Sequence, residues 1–230
     1  MGEEGKTIVI SVGGSLIVPN DIDQGFLRRF KRSIERLVRL GHRFAIIAGG
    51  GRTARHYMDT MREFAEPTSA DIDWIGIDAT RMNANLLRVV FDEVAEESIV
   101  TNPTKEIRTD KPVILAGGWR PGASTDHVAV ELAKNLGAKK LVNLTNIDFI
   151  YDAEGVNETG HVNPIIDISW DDFLAMLPKE WVPGAHIPFD PVASKLAKEI
   201  GLAVANVNGQ ILDEFEKFVR GERFRGTLIH

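Results

Sequence analysis

The sequence predicts an α/β protein, a three-layer αβα sandwich built around a mainly parallel twisted sheet. Strand-like apolar runs alternate with amphipathic helical patterns along the whole chain. The strand-like runs are apolar on both faces, which is typical of parallel strands that are covered by helices on both sides. Three of these runs end in glycine clusters, and the carboxyl ends of parallel strands lie at one edge of a sheet.

The first half of the chain predicts two strands and three helices. The run Thr7–Val12 predicts a strand, and apolar spacings of three and four predict a helix over Gln24–Leu40 that Gly41 ends. HRFAIIAGGG predicts a strand that ends in glycines, and RTARHYMDTMREFA predicts the helix after it. A further helix is predicted over residues 73–95. Its apolar face would consist of Ile75, Ala79, Met82, Leu86 and Val89 or Val90.

The second half continues the alternation. SIVTN and PVILAGG predict short strands, STDHVAVELAKNLGA a helix, and KLVNLTNID a strong strand. Helices over WDDFLAML and DPVASKLAKEIG would begin at Asp171 and Asp190 as N-caps. AVANVNG, ILDEFEKFVRG and GTLI predict a strand, a helix and a last strand. Residues 101–112, 152–167 and 178–188 are predicted to be irregular, and loops of that length are often lids or binding loops.

Composition excludes several classes of protein. The 230 residues carry a formal net charge of −6, which argues against a general nucleic-acid binder. Cysteine is absent, so no disulfide framework, thiol nucleophile or cysteine metal site is expected. No apolar run is long enough for a membrane helix, and the polar start MGEEGK does not resemble a secretory signal. We therefore expect a cytoplasmic protein without a membrane partner.

The glycine clusters predict a phosphate-binding face. They are Gly13-Gly14-Ser15, Gly49-Gly50-Gly51 and Gly117-Gly118. Glycine at a strand end lets backbone N–H groups approach an anion, and the next helix adds its positive N-terminus. None of the clusters matches the P-loop or the dinucleotide-binding fingerprint. Three clusters at one topological position are difficult to explain as turns alone.

Five motifs occur in order: VGGSL, AGGGRTAR, ATRMNA, RPGASTDHVA and VNLTNIDFIY. In this order the chain resembles the amino-acid-kinase superfamily and, within it, the archaeal uridylate-kinase family. The resemblance covers essentially the whole chain, through RGERFRGTLI. It implies a single domain over residues 1–230, with an acceptor-side lobe over about 1–137 and a nucleotide-side lobe over about 138–230. It also implies ATP-dependent phosphoryl transfer to a nucleoside monophosphate, UMP to UDP, without a covalent intermediate.

The resemblance also implies roles for particular residues. Some would bind the acceptor: Gly50, Gly51, Arg52, Arg55, Thr80, Asn83, Ser124 and Thr125. Others would act on the transferring phosphates: Gly14, Ser15, Asp126 and Lys195. The nucleotide would be bound by Gly13, Gly14, Thr145, Asn146, Asp148, Tyr151 and Asp190. Mg²⁺ is expected with ATP although no all-protein metal cage is visible, and relatives assemble as hexamers from dimers.

Two departures from the family pattern keep alternatives open. Ser11 stands where many members of the superfamily have lysine, and Phe149 replaces a glycine. The segment PKEWVPGAHIPFDP is also unusual. One alternative is a nucleotide or oxyanion binder like the molybdenum/tungsten storage proteins, in which histidines could contribute. Those histidines are His42, His56, His127, His161 and His186. The other alternative is a kinase for a different small acceptor.

Overall fold

The computed structural model describes residues 7–156, 162–177 and 188–230. Its centre is a seven-stranded sheet. The strands are β1 (Thr7–Val12), β2 (Arg43–Ala48), β3 (Val113–Ala116), β4 (Lys140–Thr145), β7 (Asp167–Ile168), β8 (Ala203–Asn208) and β9 (Thr227–Ile229). Their order in the sheet is β3-β2-β1-β4-β8-β9-β7, and all pairs are parallel except β8 with β9. The α/β fold is confirmed.

The described helices lie on both faces of this sheet. They are α1 (Gly14–Ile17), α2 (Gln24–Arg39), α3 (Gly51–Phe64), α4 (Ser69–Val90), α5 (Thr125–Leu136), α6 (Trp170–Met176), α7 (Pro191–Glu199) and α8 (Leu212–Val219). Helices α2, α4 and α8 contribute to one apolar core, and α5, α6 and α7 to the other. The central strands are buried from both sides, and this explains their continuous apolar sequence.

The sheet runs without a break across the predicted boundary between the two lobes. Strand β1 from the first half pairs with β4 from the second, with Ile8 opposite Lys140 and Val12 opposite Leu144. Both halves therefore contribute strand ends to the same edge. The division near residue 137 stays a prediction.

The position and the buried face of α4 differ from the sequence prediction. The helix begins at Ser69, where Thr68 and Asp71 form a capping box, and it ends at Val90. Its buried face consists of Ile77, Ala79, Thr80, Asn83, Ala84 and Leu87. Met82 and Val89, which were expected to be buried, are 55% and 58% exposed. The prediction was wrong because small and polar residues form the packed face where α4 meets the glycine loops.

Three smaller predictions also need correction. Ser169, not Asp171, caps α6, because its side chain accepts from Asp172 N–H; Asp190 caps α7 as expected. The stretch predicted to be irregular over 152–167 includes an antiparallel pair, β5 (Ile150–Val156) with β6 (Val162–Ile165). The predicted strand SIVTN contributes only an isolated bridge, between Val100 and Ala116. Most of the predicted loop 178–188 lies outside the described residues.

Candidate functional site

Two glycine loops at the carboxyl edge of the sheet lie in direct backbone contact. A Cβ atom on Gly14 would lie 2.0 Å from the Gly51 nitrogen, and one on Gly51 would lie 2.4 Å from the Gly14 oxygen. Gly51 also has a positive φ of 65°, which favours glycine. Gly49 is equally restricted, since its Cβ would lie 2.4 Å from the Gly14 nitrogen. The packing of the two loops therefore requires glycine before any ligand is considered.

Helix α4 holds two of the glycine loops by side-chain hydrogen bonds. The buried Asn83 amide donates to Gly49 O at 2.8 Å and to Gly50 O at 3.2 Å. The Thr80 hydroxyl accepts from Gly118 N–H at 2.6 Å and donates to Ile77 O. In this structure the polar atoms of Asn83 and Thr80 thus position the loops. Their direct contact with an acceptor stays a prediction.

A cavity of about 270 Å³ opens between the second glycine loop, α3 and α4. It is lined by Gly50, Gly51, Ala54, Arg55, Met58, Asp73, Gly76, Ile77, Thr80, Gly118, Ala123 and Thr125. The guanidinium of the exposed Arg55 and the carboxylate of Asp73 are its charged groups. Asp73 accepts from Gly122 N–H at 2.7 Å. The cavity offers a cation, backbone amides and a carboxylate to one small molecule.

Asp126 joins the two halves of the site. It lies in the first turn of α5, where one carboxylate oxygen accepts from Ser11 Oγ at 3.3 Å and the other from Asp190 N–H at 3.2 Å. Burial, with a smaller contribution from the Asp190 carboxylate, raises the pKa of Asp126 to about 6, although these two hydrogen bonds oppose the shift. The neighbouring Ser124 caps α5 by accepting from His127 N–H.

A row of buried polar residues crosses the sheet beneath this junction. Ser11 lies opposite Asn143 on β4, and Asn143 lies opposite Asn206 on β8. Asn143 Nδ2 donates to Pro188 O and to Asn206 Oδ1, both at 3.3 Å. Because buried amides need partners, this row fixes the segment that leads to Asp190.

The predicted nucleotide-side residues follow the end of β4. Gly13 N–H donates to Leu144 O at 2.8 Å, which brings the first glycine loop against this strand end. That bond occupies the Gly13 amide, so Gly14 and Ser15 are the better amide donors to a phosphate. Thr145 ends the strand, Asn146 is exposed, and Tyr151 is 44% exposed.

Asp148 is held by two partners. It accepts from Asn208 Nδ2 and from Arg225 Nη2, both at 2.7 Å, and these groups lower its pKa. The Arg225 guanidinium also lies 5.6 Å from the centre of the Phe149 ring. Among the described residues only glycines have a positive φ, so Phe149 adopts an ordinary backbone conformation.

Most of the predicted site residues lie at this one edge, and two lie apart from the groups described above. Arg52 is exposed and is not among the residues that line the cavity. Lys195 is exposed on α7, one turn beyond its Asp190 cap. Their roles stay predictions.

The sequence did not single out Asp73, Arg81, Asn143, Asn206 and Arg225. Arg81 donates to Gly118 O and Trp119 O, which fixes the third glycine cluster. Asn143 and Asn206 could have been singled out from the sequence, because an asparagine in the middle of a buried strand needs hydrogen-bond partners to offset the cost of its burial. Arg225 lies far from Asp148 in sequence, and no local pattern indicates that they meet.

Within residues 7–156, 162–177 and 188–230, no group of three or more His, Asp or Glu side chains could hold a metal ion. The His, Asp and Glu side chains of these residues therefore do not form an all-protein metal site. It is compatible with Mg²⁺ that arrives bound to phosphate oxygens, the usual arrangement in phosphoryl transfer. In the same ranges no helix is long and apolar enough to cross a membrane.

The glycine loops, the arginine-bearing cavity and the strand-end aspartates together form a candidate phosphate-binding site at the carboxyl edge of a parallel sheet. The chain belongs to the amino acid kinase family, whose sequence profile matches residues 6–206. It is 33% identical to a uridylate kinase of Methanospirillum hungatei, over 97% of this chain and 94% of that protein. It is 31% identical to a uridylate kinase of Hyperthermus butylicus, over 96% and 97%.

Solved structures agree with this assignment. The crystal structure of uridylate kinase from Archaeoglobus fulgidus superposes with a TM-score of 0.83 at 28% identity, and the match covers 97% of this chain and 99% of that one. UMP kinase from Bacillus anthracis matches with a TM-score of 0.78 at 19% identity, over 98% and 96%, which shows the common fold.

Proposed function

We propose that this chain is an ATP-dependent nucleoside monophosphate kinase that converts UMP to UDP. The observation that carries the proposal is the cavity beside the paired glycine loops, whose lining includes Arg55 and also Thr125, the residue before Asp126. The similarity to proteins named uridylate kinase over nearly the whole chain supports the choice of substrate.

The cavity suits a nucleoside monophosphate. Arg55 would neutralise the phosphate, and the N–H groups of Gly50 and Gly51 would bind its oxygens, as glycine-rich loops before a helix do. Asp73 retains acceptor capacity beyond its bond from Gly122 and would accept from ribose hydroxyl groups. The remaining walls are mainly apolar, from Ala54, Met58 and Ile77, and would contact the base or sugar.

Phosphoryl transfer to a phosphate needs no general base, because the attacking oxygen is already ionised. The chain's contribution is to align two phosphates and to neutralise charge. Asp126 serves the alignment: through Ser11 and Asp190 N–H it connects α5, next to the acceptor, with α7, next to the nucleotide. The N–H groups of Gly14 and Ser15, at the start of α1, would bind the group in transfer.

The negative charge of the triphosphate must be neutralised by cations from outside the Asp126 region, because that region is itself acidic. Mg²⁺ bound to the phosphates would withdraw charge from the oxygens of the transferring group. Lys195 and Arg52, both exposed, are the candidate cations of the chain for the same oxygens.

We also infer that the chain self-associates. Trp74, Met82 and Val89 on α4 are 45%, 55% and 58% exposed, and large exposed apolar side chains on one helix are typical of an interface. Light scattering after size-exclusion chromatography should give a mass above the 25.4 kDa of one chain. A single-chain mass would contradict this inference.

A coupled ADP-release assay with Mg-ATP tests the function. The acceptors are UMP, CMP, isopentenyl phosphate, carbamate, acetylglutamate and molybdate. Release with UMP, well above the ATP-only background and above each other acceptor, is the expected result. Release with another acceptor alone would assign a different kinase activity. ATP binding without release would support a binding protein on the same fold.

A further inference from the structure

A second cavity, of about 410 Å³, lies between α2 and the start of α8. Its walls include Arg29, Arg32, Arg36, Gln210, Ile211 and Asp213. Both helices cover the face of the sheet opposite α5 and α7, where Asp126 and Asp190 lie. None of its lining residues also lines the cavity beside the glycine loops.

The arginines of this cavity are only partly neutralised. Arg36 is paired with the buried Glu216, which Arg220 also contacts at 3.3 Å. Arg29 donates to the uncharged Gln210 Oε1 at 2.8 Å. Arg32 Nε donates to a backbone carbonyl of its own helix at 3.3 Å. Within the described ranges neither Arg29 nor Arg32 is within 4.0 Å of a carboxylate, so positive charge is in excess here.

The start of α8 adds a second, independent feature. Ile211 is its N-cap, and no side chain caps the helix. Ile211, Leu212 and Asp213 line the cavity, and the Ile211 N–H already donates to Asn208 O at 3.0 Å, so the Leu212 and Asp213 N–H groups are the candidates for a ligand. The first N–H groups of a helix lack partners within the helix and carry partial positive charge, so they suit an anion.

The cavity also contains groups that suit hydroxyls. Asp213 is the carboxylate among its lining residues, and Gln210 supplies an amide. A simple polyanion would be repelled by Asp213, whereas a sugar hydroxyl would donate to it. The volume lies within the range of small-molecule sites, about 300 to 1,000 Å³.

We propose that the cavity between α2 and α8 binds a phosphorylated small molecule that also carries hydroxyl groups. Arg29 and Arg32 bind the phosphate with the amides at the start of α8, and Asp213 with Gln210 binds the hydroxyls. This site does not depend on the proposed kinase activity.

Isothermal titration of the full chain with ribose 5-phosphate and with tripolyphosphate tests the proposal. The variant R29Q/R32Q is compared with R28Q/R39Q, which also removes two exposed arginines from α2 but outside this cavity. We expect R29Q/R32Q to weaken ribose 5-phosphate binding about tenfold or more, as the loss of charge-assisted hydrogen bonds does. The control pair should change it by less than about threefold, through long-range charge alone.

The variant R55Q separates this site from the transfer site. If R55Q, and not R29Q/R32Q, abolishes binding, the phosphate binds at the glycine loops and the proposal is overturned. Equal weakening by both arginine pairs, or no binding to the unaltered chain, also overturns it. D213N should tighten tripolyphosphate binding and weaken ribose 5-phosphate binding, and a misfolded variant could not produce that opposite pair of changes.

Discussion

Ser11 on β1 donates a hydrogen bond from Oγ to Asp126 Oδ1 at 3.3 Å. Ser11 is 3% exposed and Asp126 is half-buried, so the bond is partly shielded from water. A hydroxyl supplies one hydrogen bond and no charge. Burial therefore holds the pKa of Asp126 at about 6, close to neutral pH, and the Ser11 hydrogen bond opposes that shift only in part.

Activity should fall as the pH drops below about 6. Asp126 accepts two hydrogen bonds as a carboxylate, and protonation would weaken both and loosen the connection between α5 and α7. The measurement is the pH dependence of kcat/KM for UMP, with stability checked at each pH. An acid limb near the ordinary aspartate value, around pH 4, would show that Asp126 does not control the rate.

Changing Ser11 should move that acid limb in a direction set by the substituent. S11A removes a hydrogen bond that lowers the pKa of Asp126, so the limb should move to higher pH. S11K would place an ammonium group beside the carboxylate, so the limb should move to lower pH. Identical limbs in S11A, S11K and the unaltered chain would contradict the role given to Ser11.

Asp126→Asn should make the protein less active but more stable at neutral pH. The pKa of Asp126 is higher in the folded protein than in the unfolded chain, so the folded state binds its proton more tightly. Stability is therefore lost as the pH rises from about 4 to about 6, and the neutral asparagine avoids a loss of about 1 to 3 kcal/mol. Urea unfolding at pH 5 and pH 8 measures this difference. A D126N protein that is less stable at pH 8 would refute it.

Asn83→Ala should weaken UMP binding although Asn83 is expected to act through the glycine loop. The substitution removes the donor to Gly49 O and one of two donors to Gly50 O, and leaving the buried Gly49 carbonyl without this bond costs about 1 to 3 kcal/mol. KM for UMP should rise severalfold, more than kcat falls. The control is N85A, since Asn85 is exposed on the same helix and donates only to Arg81 O. Equal effects of N83A and N85A on KM for UMP would show that Asn83 does not position the glycine loop.

Much of this architecture follows from local sequence. The strand-helix alternation and the glycine clusters predict the sheet and the edge where the site lies, because burial and turn chemistry are local properties. The buried face of α4 was missed because it packs against backbone loops, to which its polar residues form hydrogen bonds. Hydrophobic periodicity therefore indicates the wrong side of this helix. The contacts of Asp126 with Ser11 and Asp190, and of Asp148 with Arg225, join residues distant in sequence and require the folded chain.

The most direct measurement is UDP formation from UMP and Mg-ATP by the unaltered chain and by R55Q, with R62Q as a matched control. Both arginines are exposed on α3, but Arg62 does not line the cavity. We expect R55Q to raise KM for UMP about tenfold or more, because a charge-assisted bond to phosphate is lost, while KM for ATP is almost unchanged. Unaltered KM for UMP in R55Q, or no UDP from the unaltered chain, would contradict it.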